Sequence, residues 1–424
     1  MLTDIPDSIM KRHAAGGSFS PVSDLLLCVV IFLCAAHGVV EACEEEPIVI
    51  GTAFPGGNII VERVEGDVVH LRPDLRDTEG WWFYWNFQVC GVAEGRMLTF
   101  DFGERSPIGV RGPAVSRDNG VTWDWLGAEQ CAGSTFSYAF PQSGCAWFAS
   151  TIPYLESDLR AFVKKWSGSS ILVVEDLCES AAGRKVELLR AGCTEECPQF
   201  RALITARHHA CETMANYVLE GILTAVLSDD EPGRWFQEHV EVIAVPFMDK
   251  DGVEEGDQGK NRRPHDHNRD YGGASIYSET AALKKRAGLW EPGPLQIAFD
   301  LHCPYIRGKG NEVIYLVGSA NGEMWANQRK FAEILERVND SRLPYQTGDN
   351  LPFGEGWNTD ENYGGGVSFA RWAESIQGIK LSTTIEFPYA NAGGKEVSQE
   401  SARAFGTSVA RALRNFLMGH EQIR

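Results

Sequence analysis

The sequence predicts an α/β domain with a mixed sheet, preceded by an antiparallel β-sandwich domain. Between residue 47 and about residue 150, short apolar runs are broken by Gly, Pro and Asp, and no helical periodicity is convincing. Beyond residue 151, apolar β-branched runs alternate with helical stretches, as in an α/β domain. A chain of 424 residues also exceeds what one core usually fills. We therefore expect a sandwich over residues 47–150 and an α/β catalytic domain over residues 151–424.

The predicted sandwich contains five alternating or apolar runs. In the run WWFYWNFQV, Phe83, Trp85 and Phe87 would share one face of a strand, and these aromatic side chains suit a core better than a sugar-binding surface. The predicted strands are residues 58–64, 67–71, 81–90, 97–102 and 121–126.

The predicted α/β domain alternates seven strands with five helices. The strands are residues 171–174, 186–189, 202–205, 240–245, 295–300, 313–317 and 383–387. The helices are residues 212–227, 279–287, 323–338, 368–375 and 397–417. The polar stretch over residues 249–273 is too long for a plain connection, which indicates a functional loop.

Residues 1–42 have the features of a signal peptide. Lys11 and Arg12 precede the apolar run LLLCVVIFLCAA, and cleavage after Gly38 or Ala42 would follow small residues. We expect export to the periplasm, the cell envelope or the medium, with no transmembrane domain in the mature chain. A short membrane anchor or a buried helix is the alternative. Cys43 weakly resembles a lipoprotein cysteine and is a possible lipid anchor.

Charge and cysteine content limit the partners and the compartment. The formal charge of −19 argues against a nucleic-acid partner, because phosphate binding needs a basic face. Eleven cysteines become nine once Cys28 and Cys34 leave with the signal peptide, and an odd number implies one unpaired or modified thiol. Cys193 with Cys197 and Cys131 with Cys145 are possible pairs, but spacing does not fix connectivity.

A His-x-x-Glu motif lies where a predicted strand meets a predicted helix. His209 and Glu212 follow the apolar run that ends at Ala206, at the edge where open α/β sheets hold their ligands. An imidazole and a carboxylate at this spacing can share one divalent cation. The alternative is structural: His209 would cap the helix or be solvated, and Glu212 would be a favourable acid in the first helical turn.

Two more strand ends supply candidate partners. His302 follows the strand LQIAFDL and would complete a three-ligand site with an open fourth position, as in catalytic zinc sites. Glu386 ends the apolar strand STTIE, where a buried carboxylate is costly unless it has a function, so we predict a general base. Taken singly, His302 could be a core histidine and Glu386 an exposed acid.

The polar loop carries a basic cluster in an acidic protein. Lys260, Arg262, Arg263 and Arg269 lie in the segment GDQGKNRRPHDHNRDY. Guanidinium groups bind carboxylates in a bidentate manner, so a substrate with a free carboxylate fits. A solvated charged loop is the alternative.

The order of these motifs resembles the zinc carboxypeptidase superfamily of the carboxypeptidase A type. The resemblance rests on five motifs in this order: ARHHACET, Asp251-Gly252-Val253, Asn268-Arg269, His302 after a strand, and Glu386 on a strand near the C-terminus. Within the superfamily the chain is most similar to the cytosolic carboxypeptidase (deglutamylase-like) branch, which has a β-sandwich before its catalytic domain. The resemblance covers most of residues 47–418.

The resemblance implies a role for each matching residue. His209, Glu212 and His302 would bind Zn²⁺, with Glu386 as general base and acid. Asn268 and Arg269 would grip the C-terminal carboxylate of a peptide or protein substrate. Asp266 would orient the first zinc histidine, and Tyr363 would cap the substrate.

Two departures from the family pattern affect these roles. Gly259 stands where an arginine should polarise the scissile carbonyl, so Lys260 or Arg262 must substitute or the step is impaired. Cys211 replaces a glycine of the first motif, and we expect its thiol to pack rather than to bind metal. The resemblance also implies that Arg371, beside Ala370 where the family often places its specificity residue, would favour an acidic penultimate side chain in the substrate.

We therefore predict a zinc metallocarboxypeptidase in which Glu386 acts on the attacking water. One alternative is another zinc amide hydrolase on the same fold, either an N-acyl amino acid deacylase or a cell-wall peptide hydrolase. The other is an exported binding protein whose catalytic core has decayed.

Overall fold

The computed structural model describes residues 48–194, 198–290 and 295–419. The predicted signal peptide, Cys43 and Cys197 lie outside the described residues. No helix within the described ranges is long and apolar enough to cross a membrane.

The N-terminal region consists of two five-stranded sheets. Its strands are β1 (Val49–Gly51), β2 (Ile60–Glu65), β3 (Val68–Arg72), β4 (Asn86–Val92), β5 (Met97–Asp101), β6 (Ala114–Ser116), β7 (Asp124–Trp125), β8 (Cys131–Ala132), β9 (Thr135–Ala139) and β10 (Gly144–Ala149). One sheet has the order β1-β4-β10-β6-β7 and the other β2-β3-β5-β9-β8. All pairs are antiparallel except β3 with β5, which run parallel. The predicted β-sandwich is confirmed, with this one parallel pair as a difference.

Aromatic side chains fill the core of this sandwich. Trp85, Phe87, Phe100, Phe136 and Phe148 are fully buried and contact one another. Large apolar side chains of this kind contribute most of the burial energy of a small sandwich.

The segment predicted as a strand over residues 81–90 becomes a strand only at Asn86. Because residues 81–85 belong to no strand, the expected alternation fails before Trp85. Phe83 therefore packs against Tyr305 and Tyr389 of the second region rather than into the sandwich core.

One disulfide joins the edges of two neighbouring strands. Cys90 on β4 pairs with Cys145 on β10. The expected pair of Cys131 with Cys145 is therefore wrong, and Cys131 is a free cysteine whose pKa is raised to about 11 by burial and by Glu129.

The second region is a mixed seven-stranded sheet flanked by helices. Its strands are β11 (Leu172–Glu179), β12 (Lys185–Gly192), β13 (Phe200–Ala206), β14 (Val240–Val245), β15 (Leu295–His302), β16 (Tyr315–Val317) and β17 (Leu381–Glu386), followed by a small hairpin of β18 (Asn391–Ala392) and β19 (Lys395–Glu396). The sheet order is β11-β12-β14-β13-β15-β17-β16. The central strands β14, β13, β15 and β17 are parallel and the outer pairs antiparallel. This mixed α/β sheet confirms the predicted fold class.

Nine helices accompany the sheet in the described ranges. They are α1 (Glu156–Lys165), α2 (Met214–Leu227), α3 (Glu231–His239), α4 (Lys250–Glu255), α5 (Ser278–Gly288), α6 (Gly322–Val338), α7 (Asp360–Tyr363), α8 (Phe369–Ala373) and α9 (Gln399–Leu417). The five predicted helices are present, and α1, α3, α4 and α7 were not predicted. Asp230 caps α3 and a proline follows in its first turn, a start signal that could have revealed this helix.

The helices α2 and α9 pack closely on one face of the sheet. A Cβ at Gly221 would overlap Arg403 O, and a Cβ at Gly406 would overlap Val218 O. The close approach of these two helices therefore requires glycine at both positions.

The parallel strands β13, β15 and β17 end at the same edge of the sheet. His302 and Glu386 are register partners on β15 and β17, and His209 follows β13 by three residues. The carboxyl ends of these strands thus bring together residues that are far apart in the sequence.

Candidate metal centre and substrate pocket

Three of the predicted metal ligands converge in a buried cluster. His209 Nδ1 lies 2.9 Å from Glu212 Oε1, and His302 Nδ1 lies 2.7 Å from Glu212 Oε2. One ligand atom from each of the three residues lies within 4.8 Å of the others. Two imidazoles and one carboxylate are donors that suit a divalent transition metal such as zinc.

The carboxylate of Glu212 has an oxygen that the protein alone does not satisfy. Glu212 Oε2 is buried and has no hydrogen bond within the described ranges, although His302 Nδ1 is only 2.7 Å away. Glu212 Oε2 and His302 Nδ1 are thus close together without a hydrogen bond between them, as two ligand atoms of one shared cation would be. Burial raises the pKa of Glu212, but the charges of His209, His302 and Lys260 together have a larger and opposite effect. The pKa is therefore lowered overall, and the carboxylate stays ionised. The residues present therefore fit a metal.

The outward-facing nitrogen of each histidine meets a carboxylate. His209 Nε2 lies 3.7 Å from Asp266 Oδ1, and His302 Nε2 lies 2.7 Å from Asp300 Oδ2. Such contacts fix the orientation of a metal-binding imidazole and raise its basicity. Asp266 thus lies where the sequence resemblance requires it. The pKa of Asp266 is held below its ordinary value because His209 and Arg269 outweigh the effect of burial.

Sequence reasoning missed Asp300 and His208. Asp300 Oδ1 contacts His208 Nδ1 at 2.7 Å and accepts a hydrogen bond from Thr205, while His208 Nε2 contacts the Tyr271 hydroxyl at 2.7 Å. Asp300, His208 and His302 also lie close enough to hold a metal, but their contacting atoms already bond one another. Asp300 is two residues before His302 on one strand, so the two share a face, and this spacing could have revealed it.

A buried arginine holds the turn that carries the first two ligands. Arg207 has a φ of 61° and is buried, and its guanidinium donates to Ala210 O, Tyr154 O and the side-chain oxygen of Asn216. A non-glycine residue with positive φ is strained and persists only where its surroundings enforce it. These hydrogen bonds tie the turn to α2 and to the segment just before α1.

A cavity of about 230 Å³ opens beside the cluster. Seven of the predicted site residues line it, namely His209, His302, Lys260, Asn268, Arg269, Tyr363 and Glu386. Glu386 Oε2 is buried in this wall and receives no hydrogen bond from the part of the chain that the structure describes. Burial and nearby Glu212 raise the pKa of Glu386 to about 7, although His302 and Lys260 act in the opposite direction. A carboxylate with an open oxygen and this pKa can accept a proton near neutral pH.

Arg269 presents a cation to the same cavity. Its guanidinium donates to the backbone oxygens of Asn268 and Asn362, and none of the described carboxylates lies within 4.0 Å of it. It lies 5.1 Å from the ring centroid of Tyr363, whose hydroxyl donates to Asn358. Such a guanidinium is available for an anionic ligand.

Asn268 is more constrained than the resemblance implied. Its side-chain oxygen accepts from Phe369 N at 3.0 Å, and its side-chain nitrogen lies 3.1 Å from His302 Nε2. The amide therefore joins the support of the metal cluster to the wall of the cavity.

The two candidate substitutes for the missing arginine differ sharply. Lys260 lines the cavity, and its Nζ lies 3.4 Å from Glu212 Oε1. Arg262 is buried instead against Asp77, Asp249 and Asp257, at 2.6, 2.5 and 2.8 Å. This placement argues against the catalytic role predicted for Arg262, because three carboxylates already bind its guanidinium.

A second cavity of about 350 Å³ adjoins the first through Tyr363, Ser368 and Thr384. It contains Arg371, whose guanidinium lies 3.6 Å from the ring centroid of Tyr363, and Glu374, which accepts a hydrogen bond from the Ser319 hydroxyl. Among the described carboxylates, only that of Asp360 lies within 4.0 Å of the Arg371 guanidinium, at 3.5 Å on the exposed surface. Arg371 thus retains donors for a ligand in this cavity.

Comparison with known proteins agrees with this geometry. No protein-family model matches the chain. It is 25% identical to cytosolic carboxypeptidase 2 of Macaca fascicularis over 233 residues, which are 51% of this chain and 27% of that protein. It is 24% identical over 348 residues to an uncharacterised protein of Zymomonas mobilis, covering 80% of this chain and 87% of that one. The chain thus spans about a quarter of the cytosolic carboxypeptidases 2 that it matches.

Solved structures share the fold over most of the chain. A metallo-carboxypeptidase from Burkholderia cenocepacia superposes with a TM-score of 0.71 at 20% identity, covering 88% of this chain and 99% of that one. A metallo-carboxypeptidase from Pseudomonas aeruginosa, solved with (2-guanidinoethylmercapto)succinic acid, gives 0.68 at 19% identity, covering 87% and 99%. These comparisons confirm the predicted resemblance to metallo-carboxypeptidases and to their cytosolic branch.

Proposed function

We propose that this chain is a zinc-dependent metallocarboxypeptidase that removes C-terminal amino acids from peptides or proteins. One observation carries the proposal. A single cavity is lined by two histidines of the candidate metal cluster, by the unsatisfied carboxylate of Glu386 and by the available guanidinium of Arg269. Metal-dependent hydrolysis next to a free C-terminal carboxylate uses all three kinds of group.

In this proposal, His209, Glu212 and His302 hold the zinc ion. When bound, zinc supplies Lewis-acid polarisation and makes water more acidic. Asp266 and Asp300 contact Nε2 of the two imidazoles and keep the rings oriented with Nδ1 toward the metal.

Glu386 moves the protons of the reaction. It takes a proton from the attacking water, whose oxygen forms a bond with the peptide carbonyl carbon. It then gives that proton to the nitrogen of the leaving amino acid as the C–N bond breaks. Because Oε2 of Glu386 has no hydrogen-bond partner among the described residues, it is free to bond this water.

Arg269 selects the end of the chain that is cut. A guanidinium without a carboxylate partner binds the substrate's terminal carboxylate and so places the last peptide bond over the metal. Tyr363, beside Arg269 at the border of the two cavities, closes over the bound residue. Burial raises the pKa of Tyr363, so its hydroxyl remains a donor.

The second cavity receives the side chain of the released residue. Arg371 gives this cavity a cation, which favours an acidic side chain such as glutamate. Glu374 lies in the same cavity and disfavours a second anion unless it is protonated, and burial does raise its pKa.

The test is a peptide-library digest by the zinc-loaded, purified chain, read by mass spectrometry. We expect release of single C-terminal residues, with acidic residues preferred, and no release from C-terminally amidated peptides. Glu386→Gln should keep its zinc and lose about 10²- to 10⁴-fold in kcat. Equal rates for the wild type and Glu386→Gln would remove Glu386 from the mechanism.

The same digest separates the alternatives. Cleavage only of N-acyl amino acids would identify a deacylase, and cleavage only of cell-wall peptides would identify a peptidoglycan-trimming enzyme. A chain that binds zinc and cleaves none of these substrates would be a binding protein.

We also propose that the protein is exported. The Cys90–Cys145 disulfide supports this, because such bonds persist mainly in oxidising compartments. Fractionation of cells that express the full chain, with mass spectrometry of the mature N-terminus, tests the proposal. A full-length chain in the cytoplasm would contradict it.

A further inference from the structure

The segment that joins β3 to β4 carries an aromatic side chain from the sandwich region into the substrate cavity. Trp82 lines this cavity together with Lys260 and His302. Its ring stacks on Phe83 at 5.4 Å between centroids and meets Tyr305 edge-on at 5.5 Å. Its indole N–H donates to Cys211 Sγ at 3.4 Å, next to the metal ligand Glu212. Trp82 is therefore held on several sides.

The face of this ring meets the ammonium of Lys260. Lys260 Nζ lies 5.5 Å from the centroid of the Trp82 ring and 3.4 Å from Glu212 Oε1. It makes no hydrogen bond within the described chain. A lysine side chain has four flexible methylene groups, so a cation without hydrogen bonds needs another restraint to stay in one position.

The backbone conformation at Gly259 explains why Lys260, and not residue 259, places a cation in the cavity. Gly259 has a φ of 72°, and a Cβ at this position would overlap the backbone nitrogen of Ala210. The loop therefore packs directly on the metal-binding turn and leaves no room for a side chain at Gly259. The next residue enters the cavity.

We propose that Trp82 is a positioning residue that holds the Lys260 ammonium beside the metal cluster, where it contacts the carbonyl oxygen of the bound peptide. The inference rests on the proposed function and extends it: the sandwich region completes the active site. An ammonium at this position stabilises the negative charge that develops on the carbonyl oxygen. Without the aromatic face it would sample positions that do not reach this oxygen.

The test is a double-mutant cycle with the zinc-loaded full chain. We expect Lys260→Met to lower kcat with little change in KM, and Trp82→Leu to lower kcat about 3- to 30-fold, as loss of a cation–π contact would. Trp82→Phe should restore most of the loss, because it keeps an aromatic face. In the Lys260→Met background, Trp82→Leu should have no further effect on kcat. Trp81→Leu, beside the cavity but not in its lining, is the matched control.

A second readout does not depend on activity. Lys260 is a cation next to a ligand oxygen, so Lys260→Met should raise the affinity for Zn²⁺, measured by chelator competition, about 3-fold or more. Trp82→Leu should raise this affinity less, and only when Lys260 is present. Thermal unfolding of each variant checks that it folds.

The two readouts separate the possible failures. If Trp82→Leu has the same effect with and without Lys260, on kcat or on zinc affinity, the coupling is absent and the inference is overturned. If the wild type releases no amino acid from any peptide, the proposed function fails, and the zinc-affinity cycle still decides whether Trp82 positions Lys260.

Discussion

The sandwich region and the α/β region bury different kinds of side chain. The sandwich core is built of apolar rings such as Trp85, Phe100 and Phe136. The α/β region buries Glu212, Asp300 and Glu386 at one edge of its sheet, although burying charge is costly. The sandwich thus gains stability from packing, while the α/β region places charge where a reaction can use it.

The comparison also shows where the regions depend on each other. Arg76 and Asp77 of the sandwich region pair with Asp257 and Arg262 of the polar loop, at 2.6 Å in each case. Trp82 then reaches the cavity itself. The sandwich therefore supports the loop that bears Lys260, Asn268 and Arg269, the proposed substrate-binding residues.

The largest predicted effect is on the free energy of unfolding, when one aromatic ring is removed from the sandwich core. Phe136→Ala leaves a cavity among Trp85, Phe100 and Phe148 and should lower the free energy of unfolding by about 3–5 kcal/mol. The kcat per zinc-loaded molecule should remain unchanged, since Phe136 touches no site residue. Urea unfolding measures the stability, and activity assays with active-site titration measure kcat. A loss of kcat per zinc-loaded molecule would show that the sandwich core also affects the reaction.

An intermediate effect is predicted in the α/β region, on metal affinity rather than on stability. Asp266→Asn removes the charge facing His209 Nε2 and should weaken zinc binding about 10- to 100-fold. Competition with a chelator measures it. The control is Asp229→Asn, whose side chain is 98% exposed and should bind zinc as the wild type does. Wild-type affinity in Asp266→Asn would mean that Asp266 does not support the metal.

The smallest effect concerns Asp158, a partly buried carboxyl group outside the site. Burial and nearby Glu220 raise the pKa of Asp158 to about 6, although its carboxylate accepts from Leu155 N. Because the folded form binds this proton more tightly than the unfolded chain, the stabilisation is present below about pH 4 and is lost as the pH rises to about 6. Asp158→Asn should therefore stabilise the protein at pH 8 by about 1 kcal/mol and change little at pH 4.

Thermal unfolding at both pH values tests this prediction. Destabilisation at pH 8 would show that the carboxylate of Asp158 is useful there, and the contrast between charges inside and outside the site would weaken.

The sequence predicted the parts of the site that depend on strand ends. His209, His302 and Glu386 each follow or end an apolar run. Neighbouring parallel strands bring their carboxyl ends to one edge of the sheet, and this does not depend on the conformation of the loops. The fold class followed from the same patterns. The exact strand limits could not be predicted in this way. Residues 81–85 have the composition of a strand, but strand pairing begins only at Asn86.

Features that depend on side-chain direction could not be predicted. Lys260 and Arg262 are two residues apart in one loop, yet one enters the cavity and the other binds three carboxylates. Their directions follow from the positive φ of Gly259 and from the position of Asp249, neither of which a sequence pattern fixes. The Cys90–Cys145 pair depends in the same way on the register of β4 with β10.

The central claim is that His209, Glu212 and His302 share one zinc ion. Anomalous diffraction at the zinc absorption edge, from crystals grown with zinc, tests it most directly. We predict one strong peak within bonding distance of Nδ1 of both histidines and of the Glu212 carboxylate, with Glu386 facing it across the cavity. A peak elsewhere, or histidines that remain bonded only to carboxylates with zinc in excess, would show that these three residues do not share a zinc ion.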